Sequence, residues 1–175
     1  MKYIIYSFII VFLVGLVGGV FDVFTIFRSV PQLMLLFVAV VAAERKNFDF
    51  AFIAIAGGLL MDAMTSVAFG SYLLSYLVIG LAIKYVFEDF LLSSNSWKHL
   101  PWIVSVAILL QHIWLWLYNG TLARVSVGIP AFTFSEIFIL SIGGILYTLL
   151  LYLPGYWLIE RLNDYLVSME QRKKY

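Results

Sequence analysis

GGLLMDAMTSVAFG, residues 57–70, sets a single carboxylate, Asp62, in a run that is otherwise apolar and rich in small residues. Taken from Phe48 to Phe69, the run is long enough to cross a bilayer as one helix, which takes about 20 residues. An acid at that depth costs a few kcal/mol at the least, so it faces protein or water and not lipid. Helical spacing puts Gly58, Asp62, Thr65 and Ser66 on one face. That face is small and polar, so a second helix can come close and supply Asp62 with a partner. Two roles follow from the residues: a structural carboxylate holding helices together, or an acid that binds a proton or a ligand.

The rest of the chain fits a membrane setting. Of its 175 residues 63% are hydrophobic and 12% charged, with mean hydropathy +1.01. Soluble domains run nearer half apolar and a quarter charged. There are no cysteines, which excludes disulfides, thiolate nucleophiles and cysteine-bound metals. Net charge is +1, and no basic cluster points to nucleic acid. Lys2 leads into an apolar run with no A-x-A-like site after it, so the N-terminal segment reads as a retained span.

Working outward from Asp62, hydropathy and turn signals divide the chain into a single integral membrane domain, 1–175. It is an all-α membrane protein with six transmembrane helices, over about 3–20, 23–43, 48–69, 71–87, 101–118 and 134–159. The first span holds Gly15, Gly18 and Gly19, a spacing that lets a neighbouring helix seat closely. The second is the shortest in apolar content: Val30 to Ala43 either borrows from residues 23–27 or forms a re-entrant segment. Pro31 suits a first helical turn, where its missing N–H is harmless. Gly70 and Ser71 mark a reversal, Pro101 opens the fifth span, and Asn119-Gly120 signals a turn. The last span carries Gly143 and Gly144 before a short charged tail.

Lysine and arginine placement sets orientation. Six spans put Lys2, Arg45, Lys46, Lys84, Lys98, Arg161, Arg172, Lys173 and Lys174 on one side and Arg28 and Arg124 on the other. Both termini are therefore expected in the cytoplasm. Asp62 then lies about 21 Å along its helix, in the outer half of the bilayer. Asp22, Arg28, Arg124 and Glu136 fall on the same side, and Arg28 and then Arg124 are the expected partners of Asp62.

Catalytic chemistry is thin. His99 and His112 are the two histidines, and no HExxH, GxSxG or phosphate loop is present. Gln111 and His112 are adjacent and point in different directions, so they form no common site. The order of motifs says more. Phe27-Arg28, Pro31 leading into LMLLFVAVVAA, a basic turn, G-L-x-x-D ending at Asp62, and Gly70 opening the next helix together resemble the MreD family of bacterial rod shape-determining membrane proteins. The likeness covers about Phe27 to Lys84; Ser29 and Val30 separate Arg28 from Pro31, where the family usually has Arg followed directly by Pro.

The resemblance implies a non-enzymatic scaffold without cofactor or metal in the bacterial cytoplasmic (inner) membrane. It implies binding to an MreC-like single-span protein. Through that partner the chain would connect MreB filaments to a RodA-type glycosyltransferase and its transpeptidase. It also implies a fold similar to the substrate-binding subunits of energy-coupling-factor vitamin transporters. Small-molecule uptake is accordingly the alternative function. For the scaffold, Gly15, Gly18, Gly19, Gly143 and Gly144 are the expected packing positions for a partner helix.

Overall fold

The computed structural model describes the backbone over residues 2–21, 29–43, 48–86, 96–122 and 133–172, together with Thr25. These residues are all-helical: α1 (Lys2–Leu16), running on as a π-helical turn (Val17–Phe21), α2 (Leu33–Ala43), α3 (Asp49–Met64), α4 (Ser71–Val86), α5 (Ser96–Leu122) and α6 (Phe134–Arg172). Among the described residues, three stretches are long and apolar enough to cross a membrane: Lys2–Val20, Pro101–Leu122 and Phe134–Tyr152. Leu33–Ala43 and Ser71–Tyr85 are shorter apolar helices.

The centre of the molecule is α2. Its 11 residues are apolar on every side, and all of Met34 to Ala42 are buried. It touches each of the other five helices. A helix that is hydrophobic all round belongs inside, and an apolar stretch of 10–14 residues is more often a buried core helix than a span. At about 16 Å it covers only the second half of the segment drawn for residues 23–43. Its buried start is completed from α6: the Gln32 N–H donates to Thr148 Oγ1 at 2.9 Å, and Ser29 Oγ donates to the Leu140 carbonyl at 2.7 Å.

Helices α3 and α4 form an antiparallel hairpin with the most extensive contact in the fold. Glycine makes that closeness feasible. A Cβ on Gly58 would lie 2.4 Å from Leu73 Cα, and one on Gly80 would lie 2.6 Å from the Phe50 ring. Helix α1 rests on α3 through Tyr6, Ile10 and Val14, four residues apart in turn, while Ile4, Phe8, Val11 and Phe12 face outward. The outer surfaces of α5 and α6 are likewise apolar, with Trp102, Leu117, Phe134, Phe138 and Leu150 exposed. Large apolar side chains thus cover the surface as well as fill the core, which is compatible with a membrane protein.

Several boundaries differ from the hydropathy reading. α3 stops at Met64, short of Phe69: Thr65 is extended (φ −107°, ψ 158°), and both its N–H and its Oγ1 donate to the Met61 carbonyl. α5 begins at Ser96 and carries Pro101 inside it. It also runs through Asn119-Gly120 to Leu122, where a turn was expected. α6 continues as one helix of 39 residues through the charged tail.

Candidate functional site

Where α3 hands over to α4, the chain makes a compact corner built on Asp62. The side chain is 4% exposed. Its Oδ1 accepts the Tyr72 N–H at 2.9 Å, and its Oδ2 accepts the N–H groups of Gly70 at 3.0 Å and Leu73 at 3.3 Å. The first N–H groups of a helix have no partner within it, and its N-terminus carries partial positive charge. Asp62 supplies both needs of α4 from the end of α3. Charge-assisted bonds of this kind are roughly twice as strong as neutral ones.

The turn itself is held from α5. Asn119 Oδ1 accepts the Ala68 N–H at 2.9 Å, while Asn119 Nδ2 donates to the Leu115 carbonyl of its own helix at 2.8 Å. The Ser71 N–H and Oγ both donate to the Ala68 carbonyl. Gly70 has φ +90°, a left-handed conformation that costs little without a Cβ. The Tyr118 hydroxyl lies 3.5 Å from the Phe69 carbonyl.

The arrangement favours the structural role for Asp62, with backbone as partner. Arg28 and Arg124, expected to pair with it, lie outside the described residues, as does Asp22. Glu136 sits elsewhere in a cap of its own. Its Oε2 accepts the Thr133 N–H and Oγ1, each at 2.8 Å, and its own N–H reaches Thr133 Oγ1 at 3.4 Å, a capping box at the start of α6.

The five glycines separate into two sets. On α1, Gly15, Gly18 and Gly19 are exposed; a Cβ on Gly15 or Gly19 would meet nothing within 4 Å, and one on Gly18 would meet Met64 at 3.5 Å. On α6, Gly143 and Gly144 are buried, and a Cβ on Gly144 would lie 3.4 Å from His112 and 3.6 Å from Ile108. Gly144 is thus used in packing α6 on α5. His112 itself bonds within its own helix, its Nδ1 lying 2.9 Å from the Ile108 carbonyl.

In the sequence Asn119 reads only as part of a turn and Glu136 only as an outer-side charge; Thr148 and the Thr133–Glu136 box are not singled out. The T-x-x-E spacing was a readable signal for the last; Asn119 and Thr148 act across more than 50 and 110 residues and left none. Among the described residues no group of three or more histidines and carboxylates gathers to hold a metal. No known family, curated protein or solved structure matches this chain.

Proposed function

We propose that this chain is an MreD-type scaffold of a bacterial cytoplasmic membrane. It is a six-span, non-enzymatic subunit with both termini in the cytoplasm. It binds an MreC-like single-span protein and so connects MreB filaments to a RodA-type glycosyltransferase and its transpeptidase. The observation that carries the reading is the order Phe27-Arg28, Pro31, an apolar helix, a basic turn, the Asp62 motif and Gly70.

Two structural features support it. The Asp62 carboxylate is occupied by the backbone at the start of α4. Lys2, Asp49 and Lys84 converge at one end of the bundle, as the cytoplasmic placement of these segments requires. The partner face in this reading is the outer side of α1, where Phe8, Phe12, Gly15 and Gly19 share one helical stripe. Helices associate in lipid by close backbone packing at small residues.

Pull-down of an MreC-like partner tests the proposal. Gly19→Leu meets no internal obstacle, so it should leave the protein folded and abolish capture. Gly144→Leu would instead strike His112 and disturb the α5–α6 contact. Capture of a vitamin at submicromolar affinity by the wild type, with no partner recovered, would replace the scaffold by the uptake subunit.

A further inference from the structure

Most of the polar side chains described so far have one task, completing the hydrogen bonds of helix ends and turns. Tyr76 on α4 and Gln111 on α5 do not share it. Both are 0% exposed, yet the phenol oxygen and both amide atoms lack a hydrogen-bond partner. The amide stands beside the phenol, near the reach of a side-chain hydrogen bond but outside the distance and angles of a well-formed one. The Trp114 indole N–H, one turn further along α5, is also buried without a partner.

Buried polar atoms in native proteins are almost always satisfied by protein or by ordered water. The groups here are neutral and offer donors and acceptors together: an amide with both, and a hydroxyl with both. Asp62, whose charge reaches Tyr76, has its oxygens engaged by the start of α4. An anion would meet that negative field, and a cation would meet only dipoles without a counter-charge to offset its desolvation. A water molecule fits both the neutrality and the mixed donor–acceptor set, since buried waters take two to four such partners.

We propose that Tyr76 and Gln111 form a binding site for one ordered water molecule that bridges α4 and α5. Asn119, two turns along the same face of α5, already ties that helix directly to the corner before α4. The water makes a second tie, deeper in the bundle, between helices separated by the connection from α4 to α5.

X-ray radiolysis tests this, because hydroxyl radicals made from a bound water oxidise the side chains touching it even in a protein interior. The full chain in detergent would be irradiated in ¹⁸O-enriched water and read by mass spectrometry. After correction for intrinsic reactivity, Tyr76 should be labelled several-fold faster than Phe37 and Phe50, aromatics equally buried in apolar surroundings. In Gln111→Met, of similar volume, Tyr76 labelling should fall to their level and Tm should drop by about 2–4 °C. Should that variant fail to fold, Gln111→Asn, which withdraws the amide by one methylene, replaces it with the same expected loss of labelling. Wild-type Tyr76 as inert as Phe50 would overturn the site, since the phenol and amide would then be dry or bonded to each other. Labelling unchanged by the Gln111 variant would overturn the assignment of Gln111.

Discussion

Helix α3 carries a carboxylate near each end, and the two are satisfied by opposite means. Asp49 stands in the first turn, where the helix dipole favours an acid. It pairs with the Lys2 ammonium, and the Tyr3 hydroxyl lies 3.5 Å away. Asp62 stands in the last turn, where the same dipole disfavours it. It is stabilised instead by three backbone N–H groups at the start of α4. One acid is a tether between side chains at the rim of the bundle. The other is the anchor of the chain reversal, because without it the N–H groups at the start of α4 lose their acceptor and the turn at 65–70 loses its hold. A carboxylate in an apolar helix therefore needs a donor set, and a second helix start serves as well as an arginine.

The largest expected effect breaks the Asp62 end. Asp62→Ala leaves three partly buried N–H groups without an acceptor, and each donor left unsatisfied costs up to about 1–3 kcal/mol. Asp62→Asn keeps a neutral acceptor and should cost less, roughly 1–3 kcal/mol. Thermal unfolding in detergent checks the order Ala below Asn below wild type. A second substitution at Arg28 or Arg124 should restore little of it, because the lost partners are backbone. If Asp62→Ala unfolds like the wild type but no longer captures a partner, the carboxylate is a functional group and the structural assignment falls.

A smaller effect sharpens the same end. Gly58 lies one turn before Asp62, with its Cβ direction blocked by the Leu73 backbone. A backbone atom cannot swing aside as a long side chain can, so Gly58→Ala must push α4 away from α3. Overpacking of this kind typically costs about 1–3 kcal/mol, and it also lengthens the reach of Asp62 to the start of α4. Hydrogen exchange at Gly70, Tyr72 and Leu73 should then quicken more than exchange at Ile79 or Ile83. Uniform quickening along α4 would mean that the glycine sets the helix spacing and nothing at the corner.

Much of this was readable before the structure and some was not, for identifiable reasons. Asp62 stood out because a charge in an apolar run is expensive, and Gly70-Ser71 stood out because glycine before a new apolar period marks a reversal. The helical class followed from the long apolar runs. Hydropathy did not reveal that α2 is the centre of the molecule, because it measures distance from water and does not separate lipid from protein as surroundings; only the brevity of the run and its lack of any polar face carried that signal. It overran α3 because Thr65 to Phe69 are compatible with a helix by composition, and the break there is imposed by Asp62 reaching forward. Asn119-Gly120 read as a turn because Asn favours turns through its own backbone; here its amide is engaged by Leu115 and Ala68, which removes that preference.

The smallest expected effect is at the Asp49 end, and it decides whether the contrast between the two acids is real. Lys2→Gln keeps most of the side-chain stem and removes the charge, so it isolates the ion pair with Asp49 from simple packing. The Lys2 and Asp49 side chains keep 17% and 10% of their exposure, at the first turns of α1 and α3. A pair so placed is worth up to about 1 kcal/mol, and Lys2 also lies 5.9 Å from the centre of the Tyr6 ring, a contact the substitution weakens as well. Salt provides the sharper readout. The Debye length shrinks from about 30 Å at 0.01 M to about 3 Å at 1 M, so the difference between wild type and Lys2→Gln should fade across that range. The loss caused by Asp62→Ala should stay constant, because its partners are buried backbone dipoles. A Lys2→Gln penalty as large as that of Asp62→Ala, and equally indifferent to salt, would show that both acids sit in the same kind of interior, and the distinction between tether and anchor would not stand.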